Sequence, residues 1–143
     1  SLVSVDHLAF DCMTQNIDRS DVAAIERTLA LYRGHFLQGE TAAWALSVRE
    51  RLRARFLDLT ERLGALLEER GEVGEATQTY LRALEVEPVA EVMCRRVMMT
   101  YVRLGRRSEA IGVYQRFSQA LRTKLGVPPA PETVSLYHDL AKP

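Results

Sequence analysis

The feature that most constrains this chain is an internal repeat with a period of about 34 residues. A shift by that distance places Gly71 on Gly105 and Tyr80 on Tyr114. The same shift superposes further pairs of identical residues, namely Glu75 on Glu109, Ala76 on Ala110 and Arg82 on Arg116. Agreement at so many positions indicates two tandem copies of one supersecondary unit, in which each copy buries its apolar face against a neighbour.

The apolar residues of the chain recur at helical spacing. They step by three and four residues from Ser20 to Tyr32, where Ser20 or Asp21 is a suitable N-cap. A longer pattern runs from Trp44 to Leu66 and ends at Gly71. Its stripe predicts that Trp44 is buried, and the alternative is that Trp44 is an exposed interface anchor. Further helices are predicted at about 72–85, 89–104, 108–126 and 131–140, with Ser108 as an N-cap. No strand-like alternation persists, so the sequence predicts an all-α fold of about seven helices.

This period is that of the tetratricopeptide repeat, in which two antiparallel helices form one unit. The first copy keeps the expected small residues, tyrosine and terminal proline, which are Gly64, Gly71, Ala76, Ala83, Tyr80 and Pro88, but it has Thr60 where the pattern prefers Trp. The second copy is degenerate, since Met98 replaces the first of these glycines and Arg122 replaces the terminal proline. We therefore predict one tetratricopeptide-like domain over residues 1–143, a right-handed stack of antiparallel helix pairs. Its repeat units lie at about 57–90 and 91–124, and its closing helix at about 131–141.

The balance of charge and the placement of the cysteines favour a protein-binding function in the cytoplasm. The chain has 19 basic and 19 acidic side chains, so it offers no field of one sign that would attract nucleic acid. Cys12 and Cys94 are far apart among apolar neighbours, which is typical of reduced thiols in a cytosolic protein. No apolar run reaches the roughly 18–20 residues of a membrane span. We expect a cytoplasmic protein that binds other proteins, does not enter membranes and contacts DNA only through another domain.

Catalytic interpretations find little support in the sequence. His7, His35 and His138 are scattered over separate segments, and His35 is more simply a turn residue. The chain contains no HExxH motif, no CxxC pair and no Gly-x4-Gly-Lys-Ser/Thr loop, so neither a zinc site nor a phosphate-binding loop is indicated. We therefore predict no enzymatic activity, no metal and no cofactor.

The main basic concentration lies in the long central helix, at Arg49, Arg51, Arg53 and Arg55. A helical face shared by Arg51, Arg55 and Arg62 is one candidate for phosphate contact. The favoured interpretation is pairing within the helix, because acidic residues are interspersed at suitable distances, at Glu50, Asp58 and Glu61. The acidic cluster that ends this helix is likewise interpreted as a solvated face, at Glu68, Glu69 and Glu72.

The concave side of stacked repeats is the expected binding surface, because it presents the first helix of each unit. From the first repeat this surface should show Asp58, Glu61, Ala65 and Glu68. From the second repeat it should show Val92, Arg95, Met99 and Arg103. Met99 would supply adaptable apolar contact, while Arg95 and Arg103 would pair with carboxylates of a partner. The alternative is that the last helix folds into this groove and closes it.

One stretch goes beyond a generic repeat. It reads Ala30-Leu-Tyr-Arg-Gly-His-Phe-Leu-Gln-Gly-Glu40, followed by Trp44 and by Arg49-Glu-Arg-Leu52. The ending adds Gly126-Val127-Pro128 and Pro131-Glu132-Thr133. Together these motifs resemble the bacterial transcriptional activation domain of the Streptomyces antibiotic regulatory proteins and their relatives, over about residues 5–140.

This resemblance implies a regulatory module that follows a winged-helix DNA-binding domain and forms dimers or contacts RNA polymerase. Because the chain begins at Ser1 rather than at a methionine, we expect it to be excised from a larger regulator. The expected partners are RNA polymerase, other domains of the parent protein or a second copy of the chain. The alternative function is a generic scaffold or sensor lobe of a signalling protein, which binds a peptide or inhibits a neighbouring domain.

Overall fold

The structure, a computed structural model, describes residues 2–32 and 43–142, with the side chains of residues 8–32 and 43–142. Within these ranges the chain forms seven helices and no strand, which confirms the all-α prediction. The helices are α1 (Leu2–Asn16), α2 (Val22–Leu29), α3 (Ala43–Glu69), α4 (Val73–Val86), α5 (Glu91–Arg103), α6 (Arg107–Leu125) and α7 (Pro131–Ala141). Contacts divide the chain into two compact units, Ser1–Leu66 and Leu67–Pro143.

The first unit is organised around three aromatic rings. Phe10 of α1 has its ring centroid 5.3 Å from that of Tyr32, which stacks on Phe56 of α3 at 4.1 Å. Asp21 is the N-cap of α2, and its side chain accepts a hydrogen bond from the Ala24 N–H at 3.1 Å. One of the two predicted caps is thereby confirmed.

The first helix, α1, was not identified by periodicity. Its apolar residues point in more than one direction, since Phe10 is fully buried whereas Leu8 and Met13 are exposed. A helix that spreads its apolar residues in this way lacks the single stripe by which amphipathic helices are recognised. The segment therefore gave no clear signal in the sequence.

The prediction that Trp44 is buried is wrong, because its side chain is 58% exposed. The buried stripe of α3 in the first unit consists of Ala45, Leu52, Phe56, Leu59 and Leu63. At about 100° per residue, Ala45 lies about 20° around the helix from Leu52, whereas Trp44 lies about 80° away. Spacing by fours from Leu52 reaches Trp44, but the accumulated rotation takes it off the buried face.

The turn after α3 begins the second unit and is closed by two backbone hydrogen bonds. The Gly71 N–H donates to the Glu68 carbonyl at 2.9 Å, and the Glu72 N–H donates to the Leu67 carbonyl at 2.8 Å. This pair of bonds is the Schellman motif, which requires a left-handed residue after the helix. Gly71 meets that requirement with φ of 79°, so the glycine predicted to end the long helix does so for a conformational reason.

The turn after α5 repeats this geometry one repeat period later. The Gly105 N–H donates to the Val102 carbonyl at 2.9 Å, and the Arg106 N–H donates to the Tyr101 carbonyl at 2.8 Å. Gly105 is also left-handed, with φ of 74°. Because the next helix starts directly after this turn, its N-cap is Arg106. The prediction of Ser108 as the N-cap is therefore wrong, since Ser108 already lies inside α6.

Packing in the second unit centres on α5, which contacts α4, α6 and α7. Ala76 of α4 and Ala110 of α6, which share a register in the repeat, are both fully buried. Small residues at these positions allow neighbouring helices to approach closely. The rest of the core comes from larger side chains, among them Tyr80, Met93, Val97, Met98, Phe117 and Leu121.

Candidate protein-interaction site

The two faces of α5 differ in what they contact. Its inner face is buried in the second unit and consists of Met93, Cys94, Val97, Met98 and Tyr101. Its outer face carries Val92, Met99 and Val102, which are 38–44% exposed. Spaced by seven and three residues, these three lie along one side of the helix over about 15 Å. We call Val92, Met99 and Val102 the α5 stripe.

Arg103 lies at the C-terminal end of the α5 stripe and is held by Glu68. Its Nη1 donates to Glu68 Oε1 at 2.6 Å, and the other carboxylate oxygen accepts from the Tyr80 hydroxyl at 2.8 Å. One carboxylate therefore connects the end of α3 to α4 and α5. The interpretation of Glu68 as part of a solvated face is wrong, because its oxygens serve these internal contacts, whereas Glu69 and Glu72 are exposed.

Arg95 lies on the side of α5 that faces α7. Its Nη1 donates to Thr133 Oγ1 at 3.0 Å, and its Nη2 lies 3.7 Å from Glu132 Oε2. On the same side, Glu91 Oε1 accepts a hydrogen bond from the Ala130 N–H at 2.6 Å. The last helix therefore binds the Arg95 side chain, which agrees in part with the alternative prediction that this helix folds into the groove. It does not close the groove, because the α5 stripe remains exposed.

Asp58 and Glu61 belong to the first unit, unlike the other four predicted binding residues. Asp58 Oδ2 pairs with Arg19 Nη2 at 3.0 Å, across the unit rather than within its own helix. Glu61 is half-buried on the same helix. The expected pairing within α3 is found for Glu50, whose carboxylate lies 4.0 Å from Arg53 Nη1.

Three arginines of α3 contact α1 and the segment after it, so the favoured prediction of pairing within the helix is wrong for Arg51, Arg55 and Arg62. Arg51 Nη2 lies 3.6 Å from Asp11 Oδ2, and Arg55 pairs with the same carboxylate. Arg62 Nε donates to the backbone carbonyl of Arg19 at 2.9 Å. The face considered for phosphate contact is therefore engaged inside the first unit. Asp11, which lies in a helix that periodicity did not identify, is the partner that sequence reasoning missed.

The cysteine and histidine side chains that the structure describes lie apart from one another. Burial raises the pKa of the Cys94 thiol to about 12, so it remains protonated and is not a nucleophile at neutral pH. Cys12 and His138 are exposed on different helices. His35 lies outside the described residues, and the side chain of His7 lies outside those described. Among the side chains that are described, no three His, Cys, Asp or Glu residues are placed to hold a metal ion.

The order of the helices, the two like turns and the register of the repeat define the class of the protein. Over the described residues it is an all-α protein, consistent with a tetratricopeptide-like fold. Of the helices in the described ranges, none combines the length and the apolar character needed to cross a membrane.

A comparison with protein families matches residues 11–141 to the bacterial transcriptional activator domain. The chain belongs to this family, which confirms that its motifs are those of a bacterial transcriptional activator domain. Membership makes it a transcription-activator domain, and the family is a regulatory one rather than an enzyme family. Searches of curated proteins and of solved structures each gave no match. Residues 33–42, which hold most of the turn that carried the resemblance, lie outside the described residues.

Proposed function

We propose that this activator domain works in the cytoplasm by presenting the outer face of α5 to a protein partner, which is RNA polymerase. The observation that carries the proposal is the α5 stripe, whose three exposed apolar side chains end beside Arg103. Apolar contact flanked by arginine is typical of the residues that dominate binding energy at protein interfaces. Methionine adds to this because its flexible side chain adapts to irregular surfaces.

The six predicted binding residues take different parts in this proposal. Met99 and Arg103 contact the partner directly, because both are accessible on α5. Glu68 positions Arg103, and Arg95 fixes α7 at the border of the surface. Asp58 and Glu61, which lie in the first unit, supply negative charge for a separate contact with the partner. DNA contact is left to another domain of the parent protein.

The test is a binding titration against the RNA polymerase holoenzyme of the host, in which biolayer interferometry detects binding. Met99→Glu places a charge in the middle of the stripe, so we expect it to weaken binding at least about tenfold. The matched control is Leu125→Glu, which changes an exposed apolar residue of the same unit at the end of α6. We expect the control to bind like the unmodified chain.

Equal losses in both variants would contradict the assignment to α5. Absence of saturable binding by the unmodified chain at tens of micromolar would contradict the polymerase as partner and favour the scaffold or sensor function. Titration against the other domains of the parent protein, and sedimentation equilibrium of the isolated chain, then distinguish an internal partner from a homodimer. Met99→Glu applied to whichever complex forms tests the same surface.

A further inference from the structure

The second unit contains a cleft between α4 and α6 that the α5 surface does not involve. Its volume is about 390 Å³, and it exists because both helices pack on α5 and leave space between them. The walls are apolar and consist of Leu81, Leu84, Pro88, Val113, Phe117 and Ala120. Phe117 and Val113 are buried, so the wall that they form is fixed by packing in the core.

Two arginines border the cleft at equivalent positions of the repeat. Arg82 lies on α4 and Arg116 on α6, and both side chains are exposed. Neither guanidinium forms an ion pair with any residue of the described ranges. Glu85 is the acidic residue among those that line the cleft. Two cations against one anion leave the rim with a net positive charge.

The position of Arg116 depends on a glycine one turn earlier in α6. A Cβ added to Gly112 would lie 3.4 Å from Arg116 Nη1, so the guanidinium lies back over Gly112. The absence of a side chain at that position gives the charged group its place along α6. The cation is thus set beside the apolar walls rather than extended into solvent.

We propose that this cleft binds a small carboxylate with an apolar body. The carboxylate pairs with Arg82 and Arg116, since arginine binds carboxylates through charge-assisted hydrogen bonds, and the body lies against Leu81, Leu84 and Phe117. The volume falls within the range of small-ligand sites, about 300–1,000 Å³. Ten residues line the cleft, whereas a stable protein interface uses about 20–30 on each side. The dimensions therefore favour a small ligand over a docked protein.

The probes are octanoate, kept below its micellar concentration, and its neutral analogue octanamide. Each is titrated into the isotopically labelled chain while amide chemical shifts are recorded by NMR. We expect saturable shifts by octanoate that are confined to residues 81–88 and 113–120. The double variant Arg82→Gln/Arg116→Gln should weaken octanoate at least about tenfold and leave octanamide within about twofold of its original affinity. The matched control Arg107→Gln/Arg122→Gln changes two exposed arginines outside the cleft and should change neither.

A second variant, Ala120→Trp, fills the cleft and should abolish binding of both probes while the helical circular dichroism is retained. It should leave the polymerase titration unchanged, so a failure of one proposal does not decide the other. The cleft proposal is overturned if neither probe saturates, or if the shifts map elsewhere. It is equally overturned if the arginine variant binds octanoate normally.

Discussion

The two copies of the repeat share their turns but not the contacts that cover their tyrosines. Tyr80 is fully buried and donates its hydroxyl to Glu68 at 2.8 Å. Tyr114 stands at the equivalent position, but Val102 occupies the place that corresponds to Glu68. Instead of a carboxylate, Tyr114 has the ring of Tyr137, which stacks on it at 4.0 Å with 10° between the planes.

This difference shows how a repeat ends. Glu68 holds both Tyr80 and an arginine from the following helix pair, so it connects one copy to the next. Val102 cannot make such a connection, and the aromatic contact from α7 takes its place. Burial raises the pKa of the Tyr114 hydroxyl, and the neighbouring Tyr137 adds to the effect. In this unit α7 acts as the cap that a terminal repeat requires.

The comparison predicts unequal costs when the two tyrosines are truncated. Tyr80→Ala removes a fully buried ring, so we expect the free energy of unfolding to fall by about 3–5 kcal/mol. Tyr114→Ala removes a ring that is only partly buried and stacked, so we expect a loss of about 2 kcal/mol. Urea unfolding followed by circular dichroism measures both. If both variants lose the same free energy of unfolding, the contact from α7 stabilises Tyr114 as strongly as Glu68 and the surrounding core stabilise Tyr80.

The turns should respond alike in both copies, because they share one geometry. Gly71→Ala and Gly105→Ala each force a side chain into a left-handed conformation, and each should destabilise the chain by about 1–2 kcal/mol. Gly74→Ala is the matched control, since it lies inside α4 and an added Cβ meets nothing within 4 Å. We expect Gly74→Ala to stabilise the chain by about 0.5–1 kcal/mol. Thermal unfolding measures the change in Tm for each variant. A change of the same sign at all three positions would contradict the role of the positive φ.

Sequence reasoning found the features that depend on local geometry. The helix-ending glycines were predictable because a left-handed residue is required where the chain reverses, and glycine adopts that conformation without strain. The role of Glu68 was not predictable, because its partner Arg103 lies far along the chain, in the next helix pair. From the sequence, a carboxylate among Glu69, Arg70 and Glu72 is indistinguishable from a solvated one. Contacts between distant positions depend on how helices pack, which residue spacing along one helix does not specify.

The α4–α6 cleft was missed for the same reason, although a signal was present. Arg82 and Arg116 superpose when one copy of the repeat is shifted onto the other, and like residues at equivalent positions of a repeat lie on the same side of successive pairs. The repeat therefore predicts that these two arginines lie on one surface. What it did not contain was the space between the helices, which results from the packing of both on α5.

Removing only the hydroxyl groups isolates the hydrogen bond from the packing. Tyr80→Phe should lower the free energy of unfolding by about 1 kcal/mol, because Glu68 loses one donor but keeps Arg103. Tyr114→Phe should cause no measurable change, since the described residues give its hydroxyl no hydrogen-bond partner. Chemical unfolding of both variants at one pH makes the comparison. A loss at Tyr114 equal to that at Tyr80 would mean that the two copies are closed by equivalent bonds.

The Glu68–Arg103 ion pair is expected to contribute little to stability. Their side chains are 21% and 50% exposed, and pairs this accessible to water contribute about 0–1 kcal/mol. A double-mutant cycle of Glu68→Gln and Arg103→Gln should therefore give a coupling of about 0.5 kcal/mol, which decreases at high salt. A weak coupling means that a partner of α5 can attract Arg103 away from Glu68 at little cost. A coupling well above that range, and insensitive to salt, would fix Arg103 inside the repeat and leave the α5 stripe alone to bind the partner.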